Sequence, residues 1–405
     1  MFRLKNRKKL IWITGIILGI FPLILVAIFV QWMIVAGPAA GRTAFFRLLR
    51  NGITKIDDFK YYPSRILTAS HDPYRFSEDT NRSRVPSSVE LSSGREESLV
   101  DLLTSNNTIA FLIIKEDAIV FEQYFQGHTA SSLSQSFSVT KSFTSALIGK
   151  AIDDGLIHSV DQPVTDFIPE LAERGFEAVT IKHLFTMTSG SNYVENDNPF
   201  GVHPVFNYTP DLEKMILDFR VKNEPGQQFK YKTGDTALLG LILTRVLDPI
   251  TMTDYAQESL WAPLGMESDG VWSLDREDGL EKNWCCLAAT ARDFAKFGSL
   301  YLHEGLWEGQ RILSAEWIEQ STQVGAIPEA AWPSESKENG LWNYGYFWWL
   351  ASQVDRDYMA IGKDGQYIYV NPSKDMVIVR LGWSQGELPE RQWIKLFQYL
   401  AHEIQ

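Results

Sequence analysis

An almost unbroken apolar run near the N-terminus limits what that part of the chain can fold into. From Leu10 to Ala36 the sequence carries no charged side chain, and the next charge is Arg42. A helix needs about 20 such residues to cross a bilayer, whereas the apolar region of a cleaved signal peptide has about 7 to 15. The run predicts one N-terminal transmembrane helix that is kept as a signal anchor, with cleavage near Ala39-Ala40-Gly41 as the alternative.

Charges before the run predict its orientation. Five basic residues and no acidic one fall within the first nine positions: Arg3, Lys5, Arg7, Lys8 and Lys9. The positive-inside rule keeps such a tail in the cytoplasm. We therefore expect a cytoplasmic tail over residues 1–9, a single-pass anchor over 10–36, and a periplasmic or extracellular remainder.

The remainder of the chain is acidic. The full 405 residues have a formal net charge of -12, and beyond the basic tail 33 basic residues face 50 acidic ones, a net of -17. Such a surface repels phosphate backbones, so nucleic acid is excluded as a partner. With 45% hydrophobic residues the chain can bury a large core, which favours one big domain or a domain with an inserted lobe.

Cysteine and histidine usage argues against a metal site. The two cysteines, Cys285 and Cys286, are adjacent and badly placed for an ordinary long-range disulfide, and we interpret them as two small apolar residues in a packed segment. His183 and His203 have no clustered second ligand at metal spacing. We expect no metal and no cofactor.

Hydrophobic patterns predict strands at both ends of the soluble part. Residues 37–95 are irregular in composition and predict a lead-in segment before a domain over 96–405. Thr108–Ile114 and Ala118–Phe125 predict a hairpin, and Tyr367–Val370 and Met376–Leu381 predict two late strands. Helices are predicted over 97–104, 138–157, 212–219, 236–246, 252–260, 291–303, 315–321 and 391–404. Strands at both ends suggest an α+β fold with one antiparallel sheet that both chain ends complete.

The start of the 138–157 helix carries a candidate nucleophile. In Ser138-Val139-Thr140-Lys141 a spacing of three puts the hydroxyl and the amine on one helix face. A serine hydroxyl is inert until a base removes its proton, and an amine can serve only if burial lowers its pKa. Alone the motif is weak, and the alternative is a serine near a helix start beside an exposed lysine.

Two later segments strengthen the hypothesis. Tyr231 lies in Phe229-Lys230-Tyr231-Lys232-Thr233-Gly234-Asp235, before an apolar helix, where a phenol can relay a proton; the alternative is a buried core aromatic. Ala360-Ile361-Gly362-Lys363-Asp364-Gly365-Gln366 precedes a strand, where glycines let a substrate approach backbone N–H groups that stabilise an oxyanion. The alternative there is a simple hairpin turn.

In this order the three elements resemble the serine β-lactamase-like family, which includes class C β-lactamases, D-peptidases, esterases and 6-aminohexanoate-dimer hydrolases. Supporting segments lie at Ile181–Gly190, Ala289–Gly298 and Gly365–Val370, and the resemblance covers about residues 95 to 405. It implies a β-lactamase/transpeptidase-like α+β fold, in which an antiparallel sheet is flanked by helices and carries a mostly helical inserted lobe.

The resemblance also implies a mechanism. Ser138 would attack a carbonyl to form an acyl-enzyme with help from Lys141. Tyr231 would pass a proton to the leaving group and help activate the deacylating water. The backbone N–H groups of Ser138 and Lys363 would form the oxyanion hole. The expected activity is hydrolysis of an amide or ester in a small molecule; the alternative is a non-catalytic binding or sensor protein on the same fold.

Two departures concern substrate binding. The family's Tyr-x-Asn is here Tyr231-Lys232-Thr233, and its Lys/His-Thr/Ser-Gly strand aligns with Ala360-Ile361-Gly362, which removes a cation for a substrate carboxylate. The candidate substrate-binding residues are Tyr193, Thr233, Gly362, Gly365 and Gln366, with Glu195 and Asp197 as further loop candidates.

Overall fold

The computed structural model describes residues 21–52, 54–79, 84–90, 94, 96–323, 327, 331–333 and 341–404. The chain forms two compact units, Met1–Thr54 with Tyr193–Met215, and Lys55–Asn192 with Ile216–Gln405. Its helices are α1 (Phe21–Ala36), α2 (Pro38–Asn51), α3 (Leu99–Ser105), α4 (Thr140–Asp153), α5 (Ile181–Phe185), α6 (Val202–Tyr208), α7 (Leu212–Leu217), α8 (Thr233–Leu247), α9 (Met252–Ala256), α10 (Ala291–Leu302), α11 (Ala315–Thr322) and α12 (Glu390–Glu403).

Strands build two main sheets in the second unit. The larger has the order β12 (Asn343–Tyr344), β13 (Trp349–Leu350), β14 (Tyr358–Gly362), β15 (Gln366–Asn371), β16 (Met376–Gly382), β5 (Thr108–Lys115), β6 (Ala118–Tyr124) and β2 (Ser77–Glu78). The smaller has the order β1 (Ser64–Leu67), β8 (Gly270–Ser273), β9 (Leu287–Ala289) and β7 (Ser134–Gln135). Two short hairpins pair β3 (Ser88–Glu90) with β4 (Glu96–Ser98), and β10 (Leu306–Trp307) with β11 (Gln310–Arg311).

The larger sheet confirms the prediction that both chain ends complete one core. β16 pairs antiparallel with β5, from Met376 opposite Lys115 to Leu381 opposite Ala110, and only β2, which is parallel to β6, departs from the antiparallel pattern among the described strands. Every residue of β5 and β16 is buried. Because helices cover both faces of the sheet, the sequences of these strands are continuous apolar runs, without the alternation of a half-exposed strand.

Close packing of α10 covers one face of the sheet. At Gly298 a side-chain Cβ would stand 2.7 Å from Cγ1 of Val377 and 2.9 Å from Cγ2 of Ile368. On the other face Phe111 and Ile378 join Trp393 and Phe397 of α12 in one apolar cluster. The C-terminal helix therefore belongs to the core.

Most predicted helices and strands are confirmed within a few residues. The predicted helix over 138–157 begins as a 3-10 turn at Phe137–Val139 and continues as α4. The predicted helix over 97–104 starts later, because residues 96–98 pair as β4 before Ser98 caps α3. The lead-in 37–95 is more regular than its composition indicates, since it contains α2, β1, β2 and β3.

Part of the predicted membrane anchor lies outside the described residues, namely residues 10–20. Within the described ranges no single helix is long and apolar enough to cross a membrane. Helix α1 is apolar but shorter, and Thr233–Leu247 with Met252–Trp261 meets the length and composition only as a pair bent by 87°. The anchor remains a prediction.

Arg380 ties the sheet to the loops beside it. Its side chain is fully buried, and its Nη atoms donate to the carbonyl oxygens of Gly365 at 2.6 Å and Asn106 at 2.7 Å. The guanidinium lies 4.0 Å from the ring centroid of Trp393, and burial lowers the pKa of Arg380 to about 10. Five donors in a planar fork let one side chain satisfy several carbonyls at once.

Arg380→Ala should lower the free energy of unfolding by about 3 kcal/mol, because each buried carbonyl left without a donor costs about 1 to 3 kcal/mol. Arg380→Lys keeps the charge but loses the planar set of donors, so its free energy of unfolding should fall between those of the alanine variant and the wild type. Urea unfolding of the three proteins measures the series. An alanine variant within about 0.5 kcal/mol of wild type would contradict this role for Arg380.

A buried carboxylate lies near the start of α8. Asp235 is fully buried, and its Oδ1 accepts hydrogen bonds from the hydroxyls of Ser189 at 2.7 Å and Ser191 at 3.1 Å. Its Oδ2 is buried without a hydrogen-bond partner in the described part of the chain. Burial raises the pKa of Asp235 to about 6, although nearby Lys232 opposes the rise.

The pH dependence of stability should report this carboxyl. Its pKa in the folded state exceeds the ordinary value of 3.8, so its protonated form stabilises the fold fully below about pH 4. That contribution, roughly 3 kcal/mol, is lost as pH rises through 6. Asp235→Asn keeps the Oδ1 acceptor but does not titrate. In thermal unfolding, the melting temperature of the variant should therefore rise relative to that of the wild type as the pH increases from 4 to 7. Parallel stability curves would contradict the assignment.

Candidate active site

Ser138 and Lys141 lie together as their spacing predicts. Ser138 sits in the turn Phe137–Val139, half-buried, and Lys141 follows in the first turn of α4. The Nζ atom of Lys141 lies 2.9 Å from Oγ of Ser138 and donates a hydrogen bond to it. Such a distance permits direct proton transfer between the two groups.

The environment of Lys141 fixes its amine. The side chain is 1% exposed, and Nζ also donates to the backbone carbonyl of Trp284 at 3.2 Å. It lies 4.9 Å from the ring centroid of Tyr231. The structure therefore brings all three predicted catalytic side chains to one place.

Tyr231 lies in a loop whose backbone is hydrogen-bonded to Met187. The N–H of Lys230 donates to the carbonyl of Met187 at 2.9 Å, and the N–H of Lys232 lies 3.3 Å from the sulfur of Met187. The Tyr231 ring stacks on Trp349, with centroids 5.7 Å apart. These contacts restrict the orientation of the phenol.

The edge of β14 completes a cleft of about 310 Å³. A side-chain Cβ at Gly362 would stand 2.3 Å from the carbonyl oxygen of Ser136, so only glycine allows β14 to approach the serine turn this closely. The turn at residues 363–365 then leads into β15. The cleft is lined by Ser138, Tyr231, Trp349, Ile361, Gly362, Lys363, Asp364, Gly365, Tyr367, Gln385 and Glu390.

The candidate substrate-binding residues fall in different places. Gly362 and Gly365 line the cleft, as does Lys363, whereas Thr233 is the buried first residue of α8 and is not part of the lining. Gln366 is fully buried and stabilises the turn at residues 363–365. Its Nε2 donates to the carbonyl oxygens of Lys363 at 3.2 Å and of Gly382 at 2.8 Å.

Tyr193 belongs to the other unit of the chain. It is 3% exposed, and its hydroxyl lies 2.7 Å from Nδ1 of His203. Burial raises the pKa of Tyr193 well above its ordinary value of 10.0. Its contacts within this unit are those of a packed tyrosine, and Glu195 lies 3.6 Å from the same His203 nitrogen.

The adjacent cysteines are bonded to each other, which corrects their interpretation as two small apolar residues. Cys285 and Cys286 form a disulfide that directly follows Trp284, whose carbonyl accepts from Lys141. Adjacent cysteines are badly placed for a long-range disulfide, but these two bond to each other. The covalent link lies one residue from the carbonyl group that holds the amine of Lys141 in place.

Sequence reasoning also missed several residues of the cleft. Trp349, Tyr367 and Glu390 line it, although they come from three separate elements. Burial raises the pKa of the Glu390 carboxyl, and it also raises that of Asp364, which the charge of Lys363 opposes. The sequence predicts a helix from Arg391, directly after Glu390, but its local pattern does not indicate that this helix begins at the cleft that contains Ser138.

The chain is similar in sequence to known proteins. The sequence profile of the β-lactamase family matches residues 101–399. A 6-aminohexanoate-dimer hydrolase from Paenarthrobacter ureafaciens is 27% identical over 301 residues, which cover 71% of this chain and 75% of that protein.

Solved structures show the same fold. A Bacillus anthracis protein named after the 6-aminohexanoate-dimer hydrolases superposes with a TM-score of 0.74 at 22% identity, covering 87% of this chain and 97% of its own. A penicillin-binding protein from Bacillus halodurans superposes with a TM-score of 0.57 at 18% identity, covering 73% and 97%. The matched profile spans well over half of the chain, and the expected β-lactamase/transpeptidase-like α+β fold is confirmed. The chain therefore belongs to the β-lactamase family of serine hydrolases.

Proposed function

We propose that this protein hydrolyses an amide or ester bond of a small molecule through an acyl-enzyme on Ser138. The observation that carries the proposal is the 2.9 Å contact between Oγ of Ser138 and Nζ of the buried Lys141. Lys141 takes the hydroxyl proton as Oγ bonds to the substrate carbonyl carbon. The resulting tetrahedral intermediate collapses when the bond to the leaving nitrogen or oxygen breaks.

Tyr231 carries the proton to the leaving group in this proposal. Its ring lies beside the Lys141 amine and is held against Trp349, so a proton can pass from the lysine through the phenol. Water then attacks the acyl carbonyl, with Tyr231 helping to remove its proton, and the acid product and free Ser138 are released.

Backbone amides stabilise the negative charge that forms on the carbonyl oxygen. We assign this role to the N–H groups of Ser138 and Lys363. Support comes from the close approach of Gly362 to the serine turn, which sets β14 directly beside Ser138. Preorganised donors of this kind typically contribute about 10²- to 10³-fold in rate each.

The charges of the cleft favour a substrate without a carboxylate. The family's strand cation is replaced by Ala360 and Ile361, and two carboxyl groups, Asp364 and Glu390, line the cleft beside the single lysine Lys363. Uncharged or amine-bearing esters and amides fit this lining. The relative from Paenarthrobacter ureafaciens is named for hydrolysis of a 6-aminohexanoate dimer, an amide that carries a carboxylate as well as an amine, so only its amine matches this lining.

We place the catalytic domain, residues 96–405, outside the cytoplasm, preceded by the lead-in 37–95 and held by an anchor over 10–36. The support is the uncharged length of that run and the five basic residues before it. A substrate would then reach the cleft without crossing the cytoplasmic membrane.

A fluorophosphonate probe should label the purified protein, because only an activated serine reacts with it. Labelling should disappear in Ser138→Ala and persist in Ser142→Ala, which changes a nearby serine in α4. Gel fluorescence measures both. Absence of labelling, or labelling that survives Ser138→Ala, would favour the non-catalytic binding or sensor protein instead.

Lys141→Ala should reduce kcat by about 10² to 10⁴-fold, since it removes the base that serves Ser138. Tyr231→Phe keeps the ring on Trp349 and removes only the hydroxyl, so its loss should be smaller. Steady-state hydrolysis of p-nitrophenyl butyrate, with circular dichroism to check folding, measures both. A near-normal rate in Lys141→Ala would mean that another group activates Ser138.

The protein should be a poor β-lactamase. Loss of a charge-assisted contact to the cephalosporin carboxylate costs about 1.5 to 3 kcal/mol, or roughly 10- to 100-fold in kcat/KM. A chromogenic cephalosporin should therefore turn over far less efficiently than p-nitrophenyl butyrate, and Glu390→Gln should narrow the gap by removing a repulsive charge. Efficient cephalosporin hydrolysis that is lost in Lys363→Ala would instead make Lys363 the carboxylate-binding residue.

A further inference from the structure

Helices α1 and α2, the first two in the described part of the chain, fold back on each other. They meet at Gly37, whose φ of 86° suits glycine, and the Phe29 ring of α1 lies 5.1 Å from that of Phe45 and 6.2 Å from that of Phe46 in α2. At Gly41 a side-chain Cβ would stand 2.2 Å from the carbonyl oxygen of Trp32. We call this pair the N-terminal hairpin, residues 21–51; its α2 runs back beside the middle of α1.

One side of the N-terminal hairpin is covered by residues of its own unit. Trp32 is fully buried, and its Nε1 donates to the carbonyl of Pro199 at 2.7 Å. The ring of Tyr208 stacks on it at 6.1 Å, and Arg47 donates to the carbonyl of Tyr208 at 3.1 Å. This part of α1 is packed against protein.

The opposite side exposes large apolar side chains in helical spacing. On α1 these are Leu23, Val26, Val30 and Ile34, which are 43% to 71% exposed. On α2, Phe46 and Leu49 are 56% and 54% exposed. Contiguous apolar surface of this kind marks contact with a membrane or a partner.

The charge of α2 favours a membrane over a partner protein as what contacts this surface. The helix contains three arginines and no acidic residue, and Arg42 and Arg50 are exposed beside Phe46 and Leu49. A helix with Phe and Leu among arginines is typical of one that lies at the headgroup boundary of a bilayer, where a guanidinium binds phosphate oxygens.

The direction of the chain indicates which end of the hairpin faces the membrane. The proposed anchor includes α1, and its apolar sequence continues from Phe21 back to Leu10, so the end of the hairpin away from Gly37 is the one that lies toward the bilayer. Leu49 and Arg50 lie at that end of α2. From Ala39 to Leu49 the helix rises by about 15 Å, enough to place one end in lipid and the other in water.

We propose that Phe46 and Leu49, with Arg50, seat the end of α2 in the headgroup region of an anionic bilayer, as a second membrane contact beside the anchor. The inference rests on the proposed anchor. A second contact at a fixed distance from the first restricts how the N-terminal hairpin can tilt and rotate on the membrane.

The test measures depth along α2 in the full chain, reconstituted into vesicles of phosphatidylcholine and phosphatidylglycerol. Because the native cysteines are bonded to each other, a nitroxide label on Leu49→Cys or Ala39→Cys reports one position. The Leu49 label should collide with lipid-soluble oxygen and be shielded from an aqueous nickel chelate, and the Ala39 label should show the reverse. Arg50→Glu should reduce the shielding of Leu49, whereas Arg50→Lys should keep it.

Equal nickel accessibility at the two positions would overturn the proposal. So would spin–spin broadening at Leu49 that persists on dilution with lipid, which would assign the surface to a second copy of the chain. Retention of the protein in vesicles after alkaline carbonate washing tests the anchor separately. A retained chain with an aqueous Leu49 label contradicts the second contact alone, and a released chain contradicts the anchor.

Discussion

Burial of an amine beside a serine hydroxyl is the constraint on which the site depends. Lys141 can stay at 1% exposure only because backbone groups around it are held in place. The carbonyl of Asn283 accepts from Thr144 of α4 at 2.7 Å, and the Asn283 amide donates to the carbonyl of Thr236 in α8 at 2.7 Å. Residues 283 and 284 thus connect α4 to α8. The position of the Lys141 amine therefore depends on how these two helices pack.

Much of this fold could be predicted from local sequence pattern. The strands at 108–115 and 118–124 and the helix over Ala291–Leu302 follow from apolar periodicity and turn residues. Ser138 and Lys141 share a helix face, so their contact follows from spacing alone. That Tyr231 reaches the same place did not follow from spacing; it was inferred from resemblance.

The rest of the cleft depends on long-range packing that local patterns do not encode. Glu390 and Trp349 reach it from a helix and a strand that are far apart in sequence. Gln366 was expected to bind substrate, but its side chain turns to the backbone because the hairpin behind it has carbonyls to satisfy. Cys285 and Cys286 form a bond that spacing rules for distant cysteines do not address.

The position of β16 between β15 and β5 has a consequence for biosynthesis. A ribosome releases Ser138 more than 200 residues before β14, and the strand that joins the two halves of the sheet comes later still. Until then β5 has β6 beside it but lacks β16, its other neighbour, and the serine turn has no β14 edge beside it. Ser138 is therefore synthesised early, but its cleft forms only when nearly the whole chain has emerged, so a prematurely terminated product carries Ser138 without the cleft.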